Sequence, residues 1–348
     1  MRMFNYKFTE SHRRKILPSL ISFLIAAAFI YFLTHRFGVD WKQTWSNISD
    51  IHLGYYLLGL TLYYMSFVFR GIRWKILTQN AKEKDHSNRT SELTTASFSQ
   101  IVLMGWFVNA VTWLRLGDAY RAYALSQRSG ASFPWSLGTV LAERVLDMIT
   151  VLALLVIGIV WFSAIQKSNG MDKILLAALI MAILLSVILF VMKSYGSQLS
   201  KLLPYRLANY YDNFEKGTMT SLKRLPMLSS LGIIGWMLEV SRLYFVIKSI
   251  NIEVALPLIL IVSLGHAVLS TFPTPGGIGV VEPGVTGLLA LGMNQHLAIA
   301  VTIIDRTITL LSIIVLGGIA FLLWQFIQPK KCNSNDNTLD GTKPINSL

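Results

Sequence analysis

Charge is scarce in this sequence: Asp, Glu, Lys and Arg make up 14% of its 348 residues, where a soluble globular domain carries about a quarter. A chain so poor in charge cannot cover a water-facing surface of its size. The shortage is also concentrated, with no Asp, Glu, Lys or Arg between Lys15 and Arg36, Lys173 and Lys193, Glu253 and Glu282, or Arg306 and Lys330. One crossing of a bilayer core takes about 20 mostly apolar residues. Such a stretch must be helical, because lipid gives an open backbone no hydrogen-bond partner. Several uncharged stretches reach that length, which excludes a soluble domain with one buried helix. Cysteine is nearly absent: Cys332 stands alone, so neither a disulfide framework nor a C-x-x-C metal site is available. No G-x-x-x-x-G-K-[ST] loop or H-E-x-x-H pair occurs, and the six histidines are scattered. Direct ATP coupling and a zinc-hydrolase helix are therefore not indicated, and no metal or cofactor is implied.

What is present is a series of apolar spans, predicting an all-α, polytopic membrane helix bundle of six to eight crossings. The expected spans are Ile16–Thr34, Leu53–Leu77, Leu137–Phe162, Ile174–Met192, Leu228–Lys248, Leu256–Phe272 and a long one from Leu297 to Ile327. Leu93–Trp113 is apolar but interrupted by Gln100, Asn109 and hydroxyl residues, so it reads as buried in protein or re-entrant. Residues 1–15 read as a basic cytoplasmic segment, 16–328 as the membrane domain, and 329–348 as a polar, disordered tail. The run from Ile16 is too long for a signal-peptide core and lacks small cleavage-site residues, so it reads as a retained helix. Trp41 and Trp45 suit an interface. The net charge of +13 lies largely in loops: Arg13, Arg14 and Lys15; Arg70, Arg73, Lys75, Lys82, Lys84 and Arg89; and the central basic loop from Lys193 to Arg224. That pattern is the positive-inside bias rather than a nucleic-acid footprint. It places the chain in the cytoplasmic (inner) membrane with its N-terminus inside.

Two regions read alike, roughly 93–165 and 255–328. Gly117 precedes Arg144 by the interval at which Gly279 precedes Arg306, and each arginine follows a carboxylate, Glu143 or Asp305. In the second region Pro273, Pro275, Gly276, Gly277 and Gly279 form a break through which no helix runs. Repeated halves with broken helices are a transporter-like architecture, and free helix N-termini at such breaks favour anions. Charges within spans are costly and need partners. Glu143 and Asp147 share a helix face, Glu239 and Arg242 can pair within their own helix, and Asp305 adjoins Arg306; these read as ion pairs or proton carriers. Paired arginines suit a phosphate, to which guanidinium bonds in bidentate fashion. Glu282, in the break, is a candidate in its own right.

These residues resemble the lysylphosphatidylglycerol synthase transmembrane-region family of flippase-like membrane proteins. The likeness lies in Asn109-Ala-Val-Thr-Trp113-Leu-Arg115-Leu-Gly117-Asp118 with Arg121, in Glu143-Arg144-Val-Leu-Asp147, and in the run from Pro273 to Glu282. Trp113 departs from the pattern, which has proline there. The resemblance covers roughly residues 10–328. It implies movement of aminoacylated or glycosylated lipids between leaflets. The soluble synthase domain of the multidomain relatives is expected to be lacking.

The resulting expectation is a translocator of a phospholipid or lipid-linked headgroup, anionic or phosphate-bearing, with membrane lipids as its partners. Arg115, Asp118, Arg121, Arg144, Glu282 and Arg306 form the expected substrate-binding set, and no residue is assigned as catalytic. The alternatives are a membrane-embedded lipid or lipid-linked sugar transferase, and an accessory subunit of an envelope-lipid biosynthetic enzyme. An enzyme is the less favoured reading.

Overall fold

A computed structural model describes residues 51–81, 92–165 and 204–327, together with five positions between 176 and 194. The Ile16–Thr34 span, Trp41, Trp45, most of the Ile174–Met192 span and the tail from 329 lie outside the described residues. Leu176, Ile180, Ile183 and Val187 are helical, exposed and spaced to share one face.

Every regular element among the described residues is helical. In chain order they are α1 (Leu53–Ala81), α2 (Thr95–Val111), α3 (Gly117–Ser129), α4 (Phe133–Ile165), α5 (Tyr205–Ser221), α6 (Leu225–Lys248), α7 (Leu256–Leu269), α8 (Val281–Leu289), α9 (Gln295–Arg306) and α10 (Gly318–Ile327). Two π-helical turns, Thr307–Leu311 and Ile313–Gly317, join α9 to α10. Helix α4, helix α6 and the rod Gln295–Trp324 are long and apolar enough to cross a bilayer. Their outward faces carry the residues that water would penalise. Ile149, Ile157 and Val160 on α4 are exposed, as are Leu311, Val315, Ile319 and Leu322 along the rod, at the spacing of a helix face. Lipid contact explains an apolar exterior around a charged interior.

The packing is reciprocal. Helix α1 lies along α6; α2 packs on the α9–α10 rod, and α7 packs on α4. Each of the two similar regions thus lends its first helix to the last helix of the other. The expected protein-buried segment is α2, whose Phe98, Ile101, Val102 and Met104 are fully buried.

The structure places several charged residues more finely than the sequence does. Helix α8 resumes at Val281, so Glu282 lies in its first turn and the break is shorter than its glycines and prolines suggest. Arg144 sits well inside α4, and Arg306 ends α9 rather than opening a helix. Arg70 and Arg73 are buried in α1, at 4% and 2% exposure. The sequence places them among the loop charges, because arginine near the end of an apolar run is the usual topology signal. Here tertiary ion pairs hold them inside the bundle.

Candidate functional site

Two breaks of like geometry organise the site. In the first, α2 ends on Thr112, whose backbone is extended and whose hydroxyl donates to the Val108 carbonyl at 2.7 Å. Leu114 and Arg115 then adopt left-handed conformations, φ 62° and 53°. In the second, Thr274 is likewise extended, and Gly276 and Gly277 follow with φ 58° and 72°. The match extends to ψ, 17° at Leu114 and 16° at Gly276. At each break a side chain takes up a backbone N–H at or just before the next helix: Asn109 Oδ1 accepts from Gly117 N at 2.8 Å, and Glu282 Oε2 from Gly279 N at 2.6 Å. Gly117 has no room for a Cβ, which would lie 2.6 Å from Asn109 Oδ1 and against the Gly105 carbonyl.

The breaks touch. Leu114 N donates to the Pro273 carbonyl at 3.3 Å, and Arg115 Nη1 donates to the Ser270 carbonyl. Behind the contact lies a cavity of about 180 Å³. Its wall includes Arg70, Arg115, Arg144, Arg242 and Arg306, against two carboxylates, Asp118 and Glu239. Asn109, Tyr63, Trp106, Trp236, Ser263 and His266 are among its polar and aromatic lining.

Ion pairs fix most of these cations. On the first side, Arg144 grips Asp118 through two bonds, 3.1 and 2.9 Å, and reaches Asp147 at 3.4 Å. Arg73 pairs with Asp147 at 2.6 Å and with Glu143 at 3.4 Å, and Arg121 binds the other oxygen of Glu143. The Arg121 guanidinium also lies 4.4 Å from the Trp74 ring, a cation–π contact. On the second side, Arg306 pairs with Glu282 at 2.9 Å and donates to the Gly276 carbonyl at 2.7 Å. Arg242 bridges Glu239, at 3.3 Å, and Asp305; His266 Nδ1 stands 3.3 Å from Asp305 Oδ2. Arg70 pairs with Glu239 at 3.4 Å, between the rings of Trp106 and Trp236 at 5.2 and 4.8 Å. Arg115 is the cavity arginine that forms no ion pair among the described residues.

Of the expected binding set, Arg115, Asp118, Arg144 and Arg306 line the cavity. Arg121 lies behind the wall in the ion network, and Glu282 stands outside the lining with both oxygens engaged. Glu143, Asp147 and Asp305 are buried network members, whereas Glu239 and Arg242 face the cavity. Sequence reading does not single out Arg70, His266 or the tryptophans, whose spacing alone carries no signal. Buried arginines that satisfy buried carboxylates make a rigid, polar chamber. A wall with more arginine than carboxylate suits an anion.

The family model that describes the lysylphosphatidylglycerol synthase transmembrane region matches residues 19–317. A UPF0104 membrane protein of Methanocaldococcus jannaschii is 32% identical over 224 residues, covering 62% of this chain and 94% of that protein. A second, from Pyrococcus horikoshii, is 24% identical over 86% of this chain and 95% of its own length. The glycosyltransferase AglD of Haloferax volcanii is 28% identical over 39% of this chain, a stretch that makes up 20% of that enzyme.

Proposed function

The chain belongs to the lysylphosphatidylglycerol synthase transmembrane-region family, and from that premise we propose that it moves a phosphate-bearing lipid headgroup across the cytoplasmic membrane. The observation that carries this reading is the cavity at the meeting of the two breaks, with five arginines and two carboxylates in its wall. Charge inside a bilayer is expensive, and a purely structural network would close on itself. This one leaves Arg115 without a carboxylate and surrounds a hollow.

The wall also bears on which headgroup fits. Asp118 and Glu239 are both engaged by arginine, so an ammonium group entering the cavity meets no free carboxylate in the lining. A phosphodiester meets Arg115, and its oxygens can compete with Asp118 for Arg144. A net-anionic lipid is therefore favoured over one whose headgroup carries a positive charge. Membrane lipids are the partners of this reading, together with an envelope-lipid enzyme that would supply or consume the headgroup. The N-terminus is cytoplasmic in the same proposal. A membrane-embedded sugar transferase is the second reading, suggested by the similarity to AglD, although the shared stretch is a fifth of that enzyme.

The test is headgroup exposure in vesicles reconstituted with the full chain and fluorescent lipids of several headgroups, quenched from outside with dithionite. Faster exposure than in empty vesicles, strongest for an anionic phosphodiester and lost in Arg144→Gln protein that still folds, is the expected result. No acceleration for any lipid by folded protein contradicts the proposal and favours the transferase.

A further inference from the structure

His266 sets the two halves apart. It lines the cavity, at the position matched in the first region by Met104, which is fully buried. Among the cavity residues it is the side chain whose ordinary titration range spans neutral pH. Its Nδ1 lies 3.3 Å from Asp305 Oδ2, and Asp305 is shared with Arg242. The imidazole is thus one end of a chain of charged contacts that runs through Asp305, Arg242 and Glu239 to Arg70, across α7, α9, α6 and α1.

We infer that His266 is a proton-binding site linked to anion occupancy, so that an anionic headgroup and a proton enter the cavity together. The inference rests on the transport reading and adds to it a coupling ion. The chemistry follows from what surrounds the ring. On α9 stand Asp305 and Arg306, and on α6 Glu239 and Arg242. Arg70 on α1, Arg115 at the first break, Asp118 on α3 and Arg144 on α4 share the cavity wall. Glu282 on α8 is committed to Arg306.

With one proton on Nδ1, which stands 3.3 Å from Asp305 Oδ2, the ring is neutral and Nε2 is an acceptor. A second proton, taken from water at Nε2, makes an imidazolium whose charge is shared between Asp305 and the cavity. A phosphodiester in the cavity adds a negative charge nearby, which favours the imidazolium. By linkage the effect is mutual: the anion promotes proton uptake, and the proton tightens the anion. The carboxylates do not serve this purpose as well, because each is already held by arginine.

The experiment is calorimetric titration of the full chain in detergent with a short-chain phosphatidylglycerol, in buffers of different ionisation heat. A phosphodiester keeps one negative charge over the whole range, so any proton taken up belongs to the protein. Uptake of up to about one proton per lipid near neutral pH is expected. Binding should be on the order of tenfold tighter at about pH 5.5 than at about pH 8. His266→Met, copying the first region, and His266→Gln, which keeps a polar, non-titrating side chain beside Asp305, should both abolish the uptake. Lipid binding by the parent protein without uptake, or uptake that persists in either variant, overturns the inference. Absence of binding at every pH contradicts the transport reading itself.

Discussion

The two breaks share a backbone through their first turn, Leu114–Arg115 and Gly276–Gly277, and differ in chemistry. The second uses glycine at the two matching left-handed positions, Gly276 and Gly277, and at a third, Gly279, where a missing Cβ makes positive φ easy. The first places Leu114 and Arg115 there, at a cost of order 1–3 kcal/mol per residue. Glycine would relieve that strain but would take away the guanidinium that faces the cavity. The second break is therefore a joint, built to fold and held shut by Glu282 and Arg306. The first is a joint that also carries a ligand group. Strain kept at a position that displays an unpaired cation is better explained by binding than by stability.

The comparison can be broken most forcefully at the carboxylates. Glu143 is shared by two buried arginines, Arg73 and Arg121, so Glu143→Gln leaves two poorly compensated charges and should cost about 3–5 kcal/mol. Little folded protein is expected on size-exclusion of detergent extracts; near-parental yield would mean the first-side network is not structural. Glu282→Gln removes one partner from one arginine, on a residue whose side chain is 25% exposed. Its cost should stay near 1 kcal/mol, visible as a small drop in melting temperature. An equal collapse of both variants would erase the distinction between the two sides.

The backbone offers a sharper contrast. Gly276→Ala meets both a positive φ and the Leu310 side chain, and should destabilise by roughly 1–2 kcal/mol. Leu114→Gly occupies the matching position and should be neutral or stabilising by up to about 1 kcal/mol. Thermal melts of the two proteins side by side give opposite signs if the breaks are conformational equivalents. The same sign for both would show that surrounding contacts, rather than φ, set the cost.

Half of this arrangement was legible in the sequence. Apolar runs announced α4, α6 and the rod Gln295–Trp324, and the Pro273–Gly279 cluster announced a break, because proline and glycine act through their own backbones. The first break was visible as spacing but not as conformation, since nothing in Leu114 or Arg115 advertises a left-handed φ. Arg70 and Arg73 were misplaced for a physical reason: whether an arginine near a helix end snorkels to water or turns inward depends on carboxylates distant in sequence. Glu239 and Glu143 supply them here. Glu282 drew attention through its position after the glycines, and the structure shows it capping Gly279 and holding Arg306. The cavity itself comes from α1, α2, α4, α6 and α7 meeting the two breaks, an assembly that no local pattern encodes.

The most direct test of a binding role for the first break is Arg115→Gly, which gives it the residue found at the matching position of the second. Melting temperature and dithionite-accessible lipid would be measured on the same reconstituted protein. The expected result is stability kept or raised, as the left-handed strain is relieved, with accelerated headgroup exposure lost. Transport at the parental rate in a stable Arg115→Gly protein would contradict the claim that the strained arginine is there to meet the lipid.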